Sequence, residues 1–184
     1  MSNHQTTSEK SPKKNLGTES DIVNLILEDH KSLKRLIKVM KDSEKHRLAE
    51  RAEAFAEFAP LLVAHAKPEE QVLYIYMKQD EDLREGGFEG DVEHQLADQL
   101  VEEIMRTDDE DLWSARVKVL AELVEHHIEE EEEDLLPDFK KESEENERRF
   151  MGQKFLLLKT KLLEQGGLET PHESRILPRS EEKH

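Results

Sequence analysis

The sequence predicts an all-α protein: an antiparallel, up-and-down four-helix bundle with an additional C-terminal helix and disordered tails. Three observations carry this expectation. Apolar residues recur three and four apart over long stretches, the period of one buried helix face. Glycine, proline and aromatic residues are few while Glu, Lys, Leu and Ala abound, a composition that favours helix over sheet. The chain also divides into two halves with matching His and Glu spacing, as two helical hairpins would.

Residues 1–18 are rich in Ser, Thr and Lys with almost nothing to bury, and are expected to form a disordered tail. The bundle is expected over residues 19–140, an accessory helix over 141–166 and a flexible tail over 167–184. Ser20 or Thr18 can cap the first helix. From Asp21 onwards Val23, Ile26, His30, Leu33, Ile37 and Met40 form a strict seam that includes a histidine. After "KDSEKH", a second helix is predicted from about Leu48 to Lys78, with Phe55, Phe58, Leu62, His65, Glu69, Val72 and Tyr76 inward. Pro60 and Pro68 fall within it and predict a bend and a local distortion, because each removes a backbone hydrogen bond.

The three glycines of "QDEDLREGGFEGD" predict a loop. A third helix is predicted from about Val92 to Thr107, with His94, Ala97, Val101 and Ile104 inward. "DDED" offers an N-cap and an acidic first turn to a fourth, from about Leu112 to Leu136. Its seam is Trp113, Val117, Leu120, Val124, His127, Glu131 and Leu135, and Pro137 ends or kinks it. His126 sits about 100° off that seam, so it competes with His127 only if the helix rotates. Glu132 replaces Glu131 only if the helix is distorted. A last helix, about Glu144 to Glu164, carries Phe150, Phe155, Leu157, Leu158 and Leu162.

Charge and composition narrow the function classes. A net charge of −17 argues against nucleic acid or an anionic membrane as partner and suits the attraction of cations. The chain has no cysteine, which excludes disulfides, thiolate metal sites and cysteine catalysis. The polar N-terminus has no signal-peptide pattern, and no apolar run approaches the ~20 residues of a membrane span. A cytoplasmic location is the expectation.

The repeat concentrates the chemistry. His30 precedes His65 by 35 residues and Glu69 follows four later; His94 precedes His127 by 33 and Glu131 follows four later. The pattern His … His-x-x-x-Glu thus occurs twice. Positions four apart are neighbours on a helix, so each pair can serve one metal or bridge two. Buried imidazole and carboxylate are costly unless paired, protonated or metal-bound. Without thiolates the set suits iron, zinc or manganese rather than copper(I). Four imidazoles to two carboxylates point to two ions that share the carboxylates, with room for an oxygen bridge or a ligand. Tyr74, Tyr76 and Trp113 lie on or near inner faces, where aromatics at helical spacing are most simply core.

"LEDHKSL", "HAKPEEQVLY", "VEHQL" and "EHHIEEEEEDLLP" together resemble the hemerythrin-like (HHE cation-binding) domain over about residues 20–140. The resemblance implies a bundle holding two non-haem iron ions, with room for an oxo or hydroxo bridge. It makes His30, His65, His94 and His127 terminal metal ligands and Glu69 and Glu131 bridging ones. It also implies dioxygen, nitric oxide or a similar small ligand, in binding, sensing or iron handling. The alternative is a di-iron redox enzyme, an oxidase, peroxidase or nitric oxide reductase, on the same bundle. The oxygen-carrying members have a fifth histidine four residues after the one on the third helix, where this chain has Asp98. They also end in His-x-x-x-x-Asp, where this chain has His-x-x-x-Glu.

Overall fold

A computed structural model describes residues 20–42 and 48–165. The expected tails, Thr18, His4, His46, His172 and His184 lie outside the described residues. The helices are α1 (Ile22–Lys41), α2 (Leu48–Met77), α3 (Arg84–Met105), α4 (Glu110–Glu130), α5 (Leu136–Glu142) and α6 (Glu145–Glu164). A single π-helical turn, Glu131–Leu135, joins α4 to α5. No strand occurs among the described residues. The fold is the all-α bundle that the periodicity predicts: α1 packs on α2 and α4, and α3 packs on α2 and α4.

Two local expectations are corrected, the cap of α1 and the start of α3. Asp21, not Ser20, caps α1: its Oδ1 accepts from the Val23 backbone N–H at 3.0 Å, and its Oδ2 accepts from Arg148 Nε at 2.9 Å. Helix α2 continues without a break through Pro60 and Pro68. Helix α3 begins at Arg84, so Gly86, Gly87 and Gly90 are helical rather than a loop. Close approach explains the glycines. A Cβ on Gly90 would lie 2.6–2.9 Å from the Tyr74 ring tip, and one on Gly87 would lie 3.0 Å from Met77 Cβ. The sequence pattern registers the missing side chains but not the neighbours that require their absence.

Other elements meet the expectation more closely. Asp109 caps α4 by accepting from the Leu112 N–H at 2.8 Å. Glu144 and Glu147 form a capping box at the start of α6. This helix lies along α1 and α2, which buries Phe155 and presses Gly152 against the backbone at Ser20. Tyr74 and Met77 are buried against Gly90 and Gly87 of α3, while Tyr76 is only partly buried, its ring against Phe139 and its hydroxyl 3.5 Å from Glu147 of α6.

Two apolar clusters fill the bundle. One contains Leu33, Ile37, Phe58, Leu62, Val101, Leu120 and Val124, and the other contains Ile26, Leu73, Tyr74, Met77, Leu136, Phe139 and Phe155. In α1, α2 and α3 the seam histidines fall between these clusters in sequence, and at the end of α4 the same is true of Glu131. The polar layer is thus sealed above and below by hydrocarbon.

Candidate metal centre

His30 comes from α1, His65 and Glu69 from α2, His94 from α3 and His127 from α4, while Glu131 opens the π turn. All six side chains are buried and meet in the polar layer. They form two groups whose ligand atoms lie within 4.8 Å of one another: His30, His65, Glu69 and Glu131, and Glu69, His94 and His127. Glu69 belongs to both. His30 Nε2 is 3.2 Å from Glu131 Oε2, and His65 Nε2 is 3.3 Å from Glu69 Oε2. In the second group His94 Nε2 is 3.7 Å from Glu69 Oε2 and 3.0 Å from His127 Nε2. Glu131 Oε2 also lies 3.6 Å from His127 Nε2.

The donor set fits a cation. Buried polar atoms are ordinarily hydrogen-bonded, yet His30 Nε2, His65 Nε2, both Glu69 oxygens and Glu131 Oε2 have no such partner. These are the atoms that face one another, and a positive ion among them satisfies all of them at once. A family model described as Hemerythrin HHE cation binding domain matches residues 21–139. The chain belongs to this family. No curated protein and no solved structure matches it.

Around the inner groups this HHE domain carries a ring of carboxylates that the periodicity does not single out. Every seam histidine turns Nε2 inward and Nδ1 toward an acid on another helix. His30 Nδ1 lies 3.0 Å from Glu132 and His127 Nδ1 lies 2.6 Å from Glu93. His65 Nδ1 is 3.6 Å from Asp29 and His94 Nδ1 is 3.5 Å from Glu70. Such partners fix the ring orientation and tautomer of a metal-binding histidine. The ring obeys the internal repeat. Each lone histidine is preceded by one of these acids (Asp29, Glu93), and each inward glutamate is followed by one (Glu70, Glu132). That doubling was the available sequence signal. Lysines hold three members from outside: Lys159 of α6 pairs with Asp29, Lys67 with Glu70 at 2.8 Å and Lys34 with Glu132 at 2.7 Å.

Adjacent glutamates serve different places here as Glu69 and Glu70 do on α2, since neighbouring residues on a helix point about 100° apart. Glu131 opens the π turn and stays inside, while Glu132 backs His30. His126 is 63% exposed and takes no part in the buried groups. Asp98 also stays outside them, bound to Lys67 at 2.6 Å.

Tyr74 is the inner-layer residue that sequence reasoning left as ordinary core. Its hydroxyl donates to Glu131 Oε1 at 2.8 Å and lies 3.4 Å from His127 Nε2. Its ring centroid is 5.3 Å from that of His94. Gly90, four residues before His94, provides the space for it.

Burial sets the protonation pattern. It pushes His65 down to about 4 and lowers His94, so both imidazoles are neutral at pH 7. Burial would also lower His127, but Glu131 and Glu93 outweigh it and hold this group above its ordinary value. Burial and the neighbouring Glu131 charge raise Glu69 well above the carboxylate range. Burial opposes ionisation of Glu131 too, but His127 and His30 keep it on the charged side. Burial and the Glu131 charge raise Tyr74, which therefore remains a donor.

A cleft of about 190 Å³ reaches this layer from outside, between α3 and the α4–α5 junction. His127 and Glu131 form part of its lining, together with Gly86, Gly90 and Leu135. Asp82, Glu89, Glu93, Glu130, Asp134 and Asp138 supply carboxylates to its wall, and no Lys or Arg lines it. No described helix is long and apolar enough to cross a membrane.

Proposed function

We propose that the protein is a non-haem di-iron protein that binds or senses a small oxidant such as dioxygen or nitric oxide. His30, His65, His94 and His127 are its terminal ligands, and Glu69 and Glu131 bridge the two ions. The observation that supports this reading most is the pair of buried groups joined at Glu69, whose facing atoms otherwise lack hydrogen-bond partners. Imidazole and carboxylate donors without thiolate suit ferrous and ferric iron.

Two iron ions would supply redox electrons and open coordination positions for the small ligand. The chain's own residues do the rest. His65 and His94 present neutral imidazoles without having to lose a proton. Glu69 and His127 are the two groups raised above their ordinary values, so they are the ones from which a bound cation would displace a proton. Tyr74 fixes Glu131 by donating its hydroxyl proton to Oε1, and its hydroxyl oxygen stands beside His127. The two hydrocarbon clusters cover the layer above and below and leave the cleft as its opening.

Anaerobic titration of the metal-free full chain with ferrous iron should end at about two ions per chain, followed by optical change on admission of air or nitric oxide. A protein that takes up no iron, or whose loaded spectrum ignores both gases, contradicts the proposal.

A further inference from the structure

A third group of metal-binding side chains lies outside the buried layer. Glu93 of α3 and His126 and Glu130 of α4 bring one ligand atom each to within 4.8 Å of one another. His126 Nε2 is 3.3 Å from Glu130 Oε1. Two features distinguish this triad from a chance surface pair. Glu93 and Glu130 are also walls of the acidic cleft, whose lining includes the buried His127 and Glu131. Glu131 is only 1% exposed, and its Oε2 faces His30 Nε2 and His127 Nε2, so the inner end of the cleft is the buried centre itself. Glu93 moreover touches both levels: its Oε2 accepts from His127 Nδ1 at 2.6 Å, while the same carboxylate belongs to the outer triad.

We infer that Glu93, His126 and Glu130 form a transit site for a divalent cation, and that the acidic cleft is the route by which the buried centre is loaded. This rests on the reading of the buried layer as a metal centre. Two carboxylates and one imidazole, with open positions left for water, bind a borderline cation such as Fe²⁺ without enclosing it. A site with solvent on one side exchanges its ion, whereas the sealed layer beneath retains it. The cleft concentrates cations because its carboxylates face one another across low-dielectric walls with no lysine or arginine among them. An ion released from the triad meets the wall formed by Glu93 and next the side chains of His127 and Glu131. Glu93 then marks the passage between the outer triad and the layer beneath.

The test is the rate of anaerobic Fe²⁺ uptake by the metal-free full chain, followed by rapid mixing and a chelator quench. The double variant His126→Ala, Glu130→Gln is compared with wild type and with Glu129→Gln, an exposed control that removes the same charge at the neighbouring position. The double variant should load roughly tenfold more slowly, the lower end of what focused charge gives to association rates, yet reach the wild-type final content. The control should load as wild type does. Equal rates for the double variant and wild type overturn the transit site alone. A double variant that ends with less iron overturns it too, since the triad would then be part of the holding site. A wild-type chain that takes up no iron overturns this inference together with the reading on which it rests.

Discussion

The two groups of candidate ligands come from a repeated sequence, yet their surroundings differ. Around His30 and His65 the layer is closed: their outer carboxylates, Asp29 and Glu132, are each held by a lysine, and the cleft does not reach either histidine. Around His94 and His127 the layer is open on one side. The cleft touches His127, Tyr74 intrudes over Gly90, and Glu93 is shared with an exposed triad. Glu131 divides in the same sense, with Oε2 among the closed group and Oε1 taken by Tyr74. A repeated motif has thus produced one half closed to the cleft and another that the cleft reaches; on the proposed reading the first would retain an ion and the second would exchange ligands.

Substitutions can break that comparison. The largest effect is expected for Glu69→Ala, which removes the residue common to both groups; elemental analysis should find most of both ions gone, because a shared ligand couples the two sites. His65→Ala should also remove most of the iron, since it opens the half that retains. His94→Ala should be milder and leave about one ion per chain, held by the four residues of the closed group. If His94→Ala empties the protein as fully as Glu69→Ala, the halves are equivalent and the comparison fails.

Acid sharpens the same contrast. His65 and His94 are lowered and have no extra proton to displace near neutrality, whereas Glu69 and His127 are raised and bind a proton more readily. Cation loading should therefore release protons, and affinity should rise with pH until those groups are deprotonated in the free protein. A pH indicator in weakly buffered solution measures this directly. Loading with no proton release would show that Glu69 and His127 are already deprotonated.

Two smaller effects probe the open half. Gly90→Ala places a methyl group against the Tyr74 ring and should cost about 1–3 kcal/mol of stability, read as a lower thermal midpoint, despite the better helix propensity of alanine. Tyr74→Phe should retain the metal and lose about 1 kcal/mol with the hydrogen bond to Glu131. Its ligand-bound optical spectrum should still change, because His127 and Glu131 sit beside the altered position.

The bundle and the meeting of six side chains were legible because both depend on periodicity. Seam positions are dictated by the helix, and a polar residue on a seam is conspicuous against its apolar neighbours. Tyr74 was not legible, since an aromatic in an apolar stretch looks the same whether it packs or donates. The start of α3 was misjudged because Gly86, Gly87 and Gly90 answer to Leu135, Met77 and Tyr74, all distant in sequence or on another helix. The outer carboxylates lay hidden among 44 acidic residues, and only their adjacency to the seam groups set them apart.

The position of α6 bears on where the chain can be cut. The family segment ends at residue 139, before that helix begins. Trimming a gene there would spare every group able to meet a metal, but would strip Phe155 from beside Ile26 and Leu73, the guanidinium of Arg148 from Asp21, and the Lys159 ammonium from Asp29. Such a fragment would be left with a greasy flank and a loosened first helix. The smallest piece worth producing therefore extends to about residue 165, well past the recognisable motif.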